Sequence, residues 1–226
     1  MDNVMNDLKR IVILGTGGNS LDILDTILEI NDRAGRKVYE CVGFLDDNET
    51  SRDKVFRGVR VLGPLAAARD MQGCRFVNGI GSPANFHKKD FIISGTGLSL
   101  ERFTRVIHPT ASVSVTAEIG PGTVIFQNAT ITSNVRIGNH VVVLPNSVIS
   151  HDVVIGDYTC ITGGACISGG TSIGKFSYLG TNCSIIGNIK IGDYCLIGMG
   201  SVVLSDVADN SVVVGNPAKF LRHTRH

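Results

Sequence analysis

From Ile107 to Val203 an aliphatic residue recurs at every sixth position, running through Ile107, Val113, Ile119, Ile125 and Ile131 to Ile191, Ile197 and Val203. An amphipathic helix needs apolar spacing near 3.6 and a half-buried strand a spacing of about 2, so neither accounts for a strict six. Four positions after each aliphatic residue the chain favours a smaller one, as at Ala111, Ala117, Ala129, Ala165 and Ser177. This hexad predicts a parallel β-helix, whose coils bury their aliphatic edges only by stacking on one another. Glycines such as Gly120, Gly138, Gly156 and Gly174 directly follow aliphatic positions, where a turning backbone is expected to benefit from a missing side chain. Asp209 stands where the next aliphatic residue is due, so the coils are expected to end at about residue 208.

The first hundred residues have another rhythm. "RIVILGTGGNSLDILDTILEIN" predicts a buried strand, a glycine turn and a helix with Leu21, Leu24, Ile27 and Leu28 on its apolar side. "YECVGFLDDN" supplies a second strand ending in Asp46 and Asp47, and "VRVLGPLAAARDM" and "CRFVNGIGSP" continue the alternation of strand and helix. The expected fold is a small Rossmann-like parallel α/β sheet domain over residues 1–106, a β-helix over 107–208 and a closing segment over 209–226. Backbone N–H groups at the helix start make "GTGGNS" a candidate phosphate cradle. As a dinucleotide fingerprint it is incomplete, with Gly15 and Gly17 in place but Ser20 where a third Gly or Ala is required.

Composition then narrows the function. With 43% hydrophobic and 18% charged residues among 226, the chain can bury a substantial core. A formal net charge of +1 gives no broad basic field, which argues against nucleic acid as a partner. No apolar run reaches the roughly eighteen residues that a spanning helix needs, so no membrane insertion is expected and a cytoplasmic location is the default. The six cysteines show no CxxC pairing and are expected to be reduced packing residues, with no metal bound.

The hexads and the ending "VVVGNPAKFLR" resemble the left-handed β-helix of hexapeptide acyltransferases, which implies three hexads, or eighteen residues, per triangular coil. Together with "ILGTGGNSLDIL", "GFLDD" and "ISHDVVIG", they resemble the sialic acid O-acetyltransferase family, which includes nucleotide-amino-sugar N-acetyltransferases. That resemblance implies an acyltransferase moving an acetyl group from acetyl-CoA to a sugar amine or hydroxyl, and a homotrimer that binds acetyl-CoA between neighbours. It implies that Gly15, Gly17, Gly18, Asn19, Asp46 and Asp47 hold a nucleotide sugar, and that His151 is the general base.

Asp152, or a backbone carbonyl, is expected to fix the imidazole's tautomer, as the third member of a triad does. In an eighteen-residue coil Ser133, His151, Gly169 and Gly187 should stack at roughly the 4.8 Å strand spacing. The two glycines are expected to leave a channel for the pantetheine arm, with the Gly169 amide donating to the thioester carbonyl. By position, the resemblance also implies backbone contacts to CoA near Thr181 and Met199, with Lys219 and Arg222 available to its phosphates. Four positions depart from the family pattern. Cys160 replaces a second histidine, Leu144 an asparagine, and in the glycine turn Asn19 replaces a histidine and Ser20 the last glycine. Cys160 is expected to be a packing residue with no electropositive partner. The alternatives are a non-catalytic scaffold or nucleotide-sugar sensor, and a zinc hydratase built on His108, His140 and His151.

Overall fold

The computed structural model describes residues 8–224. The first seven and last two residues of the expected outer segments lie outside the described residues.

In the N-terminal domain β1 (Lys9–Leu14) runs into a glycine turn and α1 (Gly18–Ala34). The helix stops at Gly35, whose φ of 61° lets its N–H return to the Asp32 carbonyl. β2 (Tyr39–Leu45) pairs in parallel with β1, β3 (Val55–Phe56) and β4 (Val59–Gly63) form a hairpin, and β5 (Arg75–Asn78) flanks β1 on its other side. The order β3-β4-β2-β1-β5 is parallel except for the hairpin. After β4 the segment Leu65–Asp70 forms a 3-10 turn rather than an α-helix. Pro64 precedes it, the Asp47 carboxylate accepts the Leu65 N–H, and Gly73 follows, which leaves little length to propagate. A short helix, α2 (Lys89–Gly95), leads toward the second domain.

The hexads fold as seventeen two-residue rungs, β6 (Val106–Ile107) through β22 (Val202–Val203), each ending in one of the periodic aliphatic residues. Rungs pair in parallel eighteen residues apart, as Ile131 with Ile149 and Ile149 with Ile167. They make a left-handed β-helix of three flat faces. Face one carries Val124–Ile125, Val142–Val143 and Cys160–Ile161; face two carries Thr130–Ile131, Val148–Ile149 and Cys166–Ile167; face three carries Arg136–Ile137 and Val154–Ile155. The interior is a column of aliphatic side chains, with Ile125, Val143, Ile149 and Ile161 all fully buried. Buried hydroxyls are satisfied by adjacent coils. Thr159 donates to the Gly174 carbonyl at 2.9 Å and accepts from the Ser177 N–H at 3.1 Å, and Ser177 repeats the pattern one coil on.

Two expectations need correction. Gly138, Gly156 and Gly174 have no left-handed φ. A Cβ there would stand 2.3–2.5 Å from the nearest atom of the next coil, so close stacking rather than turning selects them. The left-handed positions form a separate period of six, with φ between 52° and 63° at Asn128, Asn134, His140, Asn146, Asp152, Tyr158, Phe176, Asn182, Asn188 and Tyr194. Nor does the stack end at 208. The last coil is two residues shorter, so that Val207 bridges Ile191 and β23 (Ser211–Val214) pairs Val213 with Ile197. β24 (Lys219–His223) then closes the edge of face one as an antiparallel strand.

The N-terminal domain sits on face one. Ile11, Ile13, Leu24, Ile27 and Val77 form one buried cluster with Val106, Val124, Phe126, Val142 and Cys160. His108, 1% exposed, pins the seam with Nε2 at 2.7 Å from Glu29, whose carboxyl is held below its ordinary range chiefly by that hydrogen bond.

Candidate active site

His151 follows the rung Val148–Ile149 and lies on the corner between faces two and three. Its Nδ1 is 2.8 Å from Asp152 Oδ2, and both side chains are more than half exposed. A carboxylate only accepts, so Nδ1 carries a proton, and in the neutral ring the lone pair is on Nε2. Asp152 occupies a left-handed corner position, φ 60°, which directs its carboxylate back to the ring beside it. Its other oxygen accepts from Asn134 Nδ2 at 3.1 Å, one coil away. The His151 and Asn134 hydrogen bonds, in that order, hold the Asp152 carboxyl below the usual carboxylate range. Sequence reasoning did not single out Asn134, although the coil period alone places it beneath Asp152, 18 residues earlier.

The expected corner stack is present. Gly170 N–H donates to the His151 carbonyl and Asn188 N–H to the Gly169 carbonyl, both at 3.0 Å. The empty channel is not. A Cβ on Gly169 would fall 2.5 Å from His151 Cε1 and 2.6 Å from Nε2, so the imidazole itself fills that space. Gly169 thus lets the ring lie flat on the coil, while a Cβ on Gly187 would meet the Gly169 carbonyl at 2.8 Å.

The glycine turn is on the opposite side of the coil. Gly15 has φ 88°, and Gly17 caps α1 without a side-chain hydrogen bond. Nothing lies within 4 Å of where a Cβ on Gly17 or Gly18 would be, so the helix N-terminus is open to a ligand. Thr16 donates to Asp46 Oδ2 at 2.6 Å, and Asp46 Oδ1 accepts the Asn48 N–H at 2.8 Å. Asp47, expected beside the nucleotide, is engaged with Leu65 N–H. Ser20, in place of a glycine, is fully buried against Gly79, where a Cβ would come 2.2 Å from its hydroxyl. Asn19 Nδ2 reaches the Gly81 carbonyl at 3.4 Å, which sets the turn over face one.

The other expected residues are dispersed. Thr181 and Met199 stack on the corner between faces one and two, where the Gly200 N–H donates to the Thr181 carbonyl at 2.8 Å and Met199 is 80% exposed. Lys219 and Arg222 project from β24 at the end of face one. His108, His140 and His151 occupy three different corners, and among the described residues no three His, Cys, Asp or Glu side chains converge as a metal would require. Leu144 packs into the domain seam. Cys160 does have an electropositive partner, contrary to expectation: Lys89 Nζ is 2.8 Å from its sulfur, because α2 packs onto face one. A cavity of about 720 Å³ lies at the far end of α1 between Arg33, Tyr39, Phe103 and Arg105, away from both His151 and the glycine turn.

The sequence matches the bacterial transferase hexapeptide (six repeats) model at residues 116–150, 134–169 and 170–205, and the PglD N-terminal domain model at residues 10–88. No curated protein matches it. Among solved structures, the acetyltransferase domain of PglB from Neisseria gonorrhoeae FA1090 is 25% identical over 94% of this chain and 100% of that one, with a TM-score of 0.82. A variant of perosamine N-acetyltransferase from Caulobacter crescentus, solved with CoA and GDP-perosamine, is 26% identical over 94% of this chain and 96% of that one, with a TM-score of 0.79. WeeI from Acinetobacter baumannii AYE, at 24% identity over 95% and 100% of the two chains, shares the fold with a TM-score of 0.78. No described helix is long and apolar enough to cross a membrane. Matched along both halves, the chain is an acyltransferase whose first half is similar to the PglD N-terminal domain and whose second half is similar to the bacterial hexapeptide transferases.

Proposed function

We propose that this acyltransferase moves an acetyl group from acetyl-CoA to the amino group of a nucleotide-linked sugar, with His151 as general base. The observation that carries the proposal is the 2.8 Å contact of Nδ1 with Asp152, which leaves Nε2 free to take a proton. An acceptor ammonium must shed a proton before its nitrogen attacks a thioester, and imidazole suits that task near neutral pH. One proton leaves the ammonium to solvent first; Nε2 takes the second from the nitrogen as the C–N bond forms, and Asp152 steadies the resulting imidazolium, which then protonates the departing thiolate. On this reading the Gly169 amide, beside the His151 ring, donates to the carbonyl oxygen as its charge develops. Collapse of the tetrahedral intermediate expels CoA thiolate, so no covalent enzyme intermediate is needed. An amine is favoured as acceptor because the Caulobacter neighbour is an N-acetyltransferase solved with GDP-perosamine, and the PglB domain has been solved with acetyl coenzyme A.

The glycine turn lies over face one and His151 on the corner opposite it, so one chain holds two half-sites that do not meet. We place the working centre between copies in a homotrimer. There the turn at Gly15, Gly17, Gly18 and Asn19, with Asp46, holds the nucleotide of one copy's substrate against the His151 corner of the next. Thr181, Met199, Lys219 and Arg222 serve the CoA arm and phosphates across the same junction. A protein that draws on acetyl-CoA in this way works in the cytoplasm.

The test is CoA thiol release with a panel of nucleotide amino sugars, comparing wild type with His151→Ala. A drop of about 10²–10⁴-fold is expected. Unchanged turnover would refute the assignment of the base, and sugar binding without any thiol release would favour a sensor.

A further inference from the structure

The seam between the domains contains a pair that the transfer reaction does not use. Lys89, the first residue of α2, has a wholly buried side chain, and its Nζ lies 2.8 Å from Sγ of Cys160, which is 4% exposed on face one. Lys89 forms no ion pair with a carboxylate among the described residues. A buried ammonium is costly unless it is well compensated, and a thiol is only a weak acceptor. The site is nevertheless built for the lysine. A Cβ at Gly81 would lie 2.7 Å from Lys89 Cε and 3.6 Å from Cys160 Sγ, so the glycine is what lets the side chain through.

We propose that Lys89 and Cys160 form an oxidative modification site, in which one oxygen atom bridges Nζ and Sγ and ties α2 to face one. The separation is shorter than ordinary van der Waals contact between nitrogen and sulfur and fits two single bonds through one intervening atom. A direct sulfur–nitrogen bond would need a much closer approach. All six cysteines are free, so no disulfide competes for the sulfur.

The oxidant is molecular oxygen. The thiol S–H bond and two ammonium N–H bonds break, while S–O and O–N bonds form. Sulfur and nitrogen each give up two electrons, one oxygen atom remains in the bridge, the other leaves as water, and one proton is released. Four equivalents of a small thiol reverse the reaction, yielding the free pair, water and two disulfides of the reductant. The bridge would lock the substrate-holding domain to the β-helix in an oxidising environment and release it in a reducing one.

Mass spectrometry of the full-length wild type tests this directly. Protein kept in buffer equilibrated with air is expected to gain one oxygen and lose two hydrogens relative to protein kept reduced under nitrogen. Fragmentation should place the link between Lys89 and Cys160, and excess thiol should reverse it. The linked protein should also melt higher by about 5 °C, as expected for a cross-link spanning a long stretch of chain. Cys160→Ser and Lys89→Met should abolish that oxygen-dependent shift, while the mass measurement stands whether or not those variants fold. The proposal is overturned if Cys160 remains fully alkylable after denaturation of the oxygen-treated protein, or is oxidised to a sulfinic acid with Lys89 free. Neither result bears on His151, whose activity is read separately.

Discussion

His140 and His151 belong to one turn of the same β-helix, yet they face opposite worlds. His140 stands on the corner between faces three and one, 2% exposed, in a ladder with Tyr158, Phe176 and Tyr194 whose stacked rings lie 4.8–5.2 Å apart. Phe103 meets it edge-on at 4.5 Å, and its buried Nδ1 has no hydrogen-bond partner. Burial first, then the nearby charge of Lys89, pushes its pKa down to about 4 against a smaller opposing effect of Asp157. His151 stands on the bare corner, joined to a carboxylate and open at Nε2. The same residue type is a packing ring where the neighbouring domain covers the coil and an exposed, carboxylate-bonded ring where that domain does not reach. Environment, rather than the presence of a histidine, decides the chemistry.

Substitutions at the two corners should therefore separate. The largest effect is the loss of about 10²–10⁴-fold in turnover from His151→Ala, with thermal stability nearly unchanged because the ring is exposed. His140→Phe should leave turnover within about twofold, since a ring of that kind keeps the ladder and makes no contact with the reaction. A rate loss at His140 matching that at His151 would erase the distinction.

Acid stability should single out His140. Its folded pKa lies below the ordinary value, so on acidification the unfolded chain takes up the proton first. The stability contribution is complete above pH 6.5, falls as pH drops, and is gone below about 4. The loss amounts to on the order of 3 kcal/mol, and denaturant titrations across this range should show it in wild type but not in His140→Phe. An identical acid limb in both proteins would contradict the buried, neutral imidazole.

At the bare corner, Asp152→Asn should cost about tenfold to a hundredfold in turnover, because an amide no longer enforces the tautomer that frees Nε2. Asn134→Ala should have the smallest effect, a few-fold at most. It removes one hydrogen bond to Asp152 and lets that carboxyl return toward its ordinary range. Its signature is activity lost slightly earlier on acidification, read from a pH–rate profile.

Much of this contrast is legible in the amino-acid sequence. The six-residue period marks all seventeen rungs, because an interior of stacked aliphatic residues tolerates no missed beat. The outward residues also lean with coverage: Val124, Val142, Cys160 and Tyr178 on face one, against Glu118, Arg136 and Lys190, beside Val154 and Ser172, on face three. Asparagines at 128, 134, 146, 182 and 188 announce the left-handed corners, while Tyr158, Phe176 and Tyr194 conceal them, since stacking overrides their backbone preference. His151 and Asp152 can be found because they are neighbours in sequence. Lys89 and Cys160 cannot, since 71 residues and a domain boundary separate them. The shortened last coil is hidden for a similar reason, as it slips the period by two while β23 continues the sheet.

The most direct test of the divided site is complementation between two inactive chains. Gly17→Asp places a good helix cap, and a negative charge, in the open turn, where its Cβ meets nothing within 4 Å, so it should fold while repelling a nucleotide. Co-expressed with His151→Ala, it should restore about a quarter of wild-type thiol release, the fraction of junctions at which an intact turn meets an intact His151 in random assemblies. Mixed oligomers that remain as inactive as either parent would contradict a centre completed between copies.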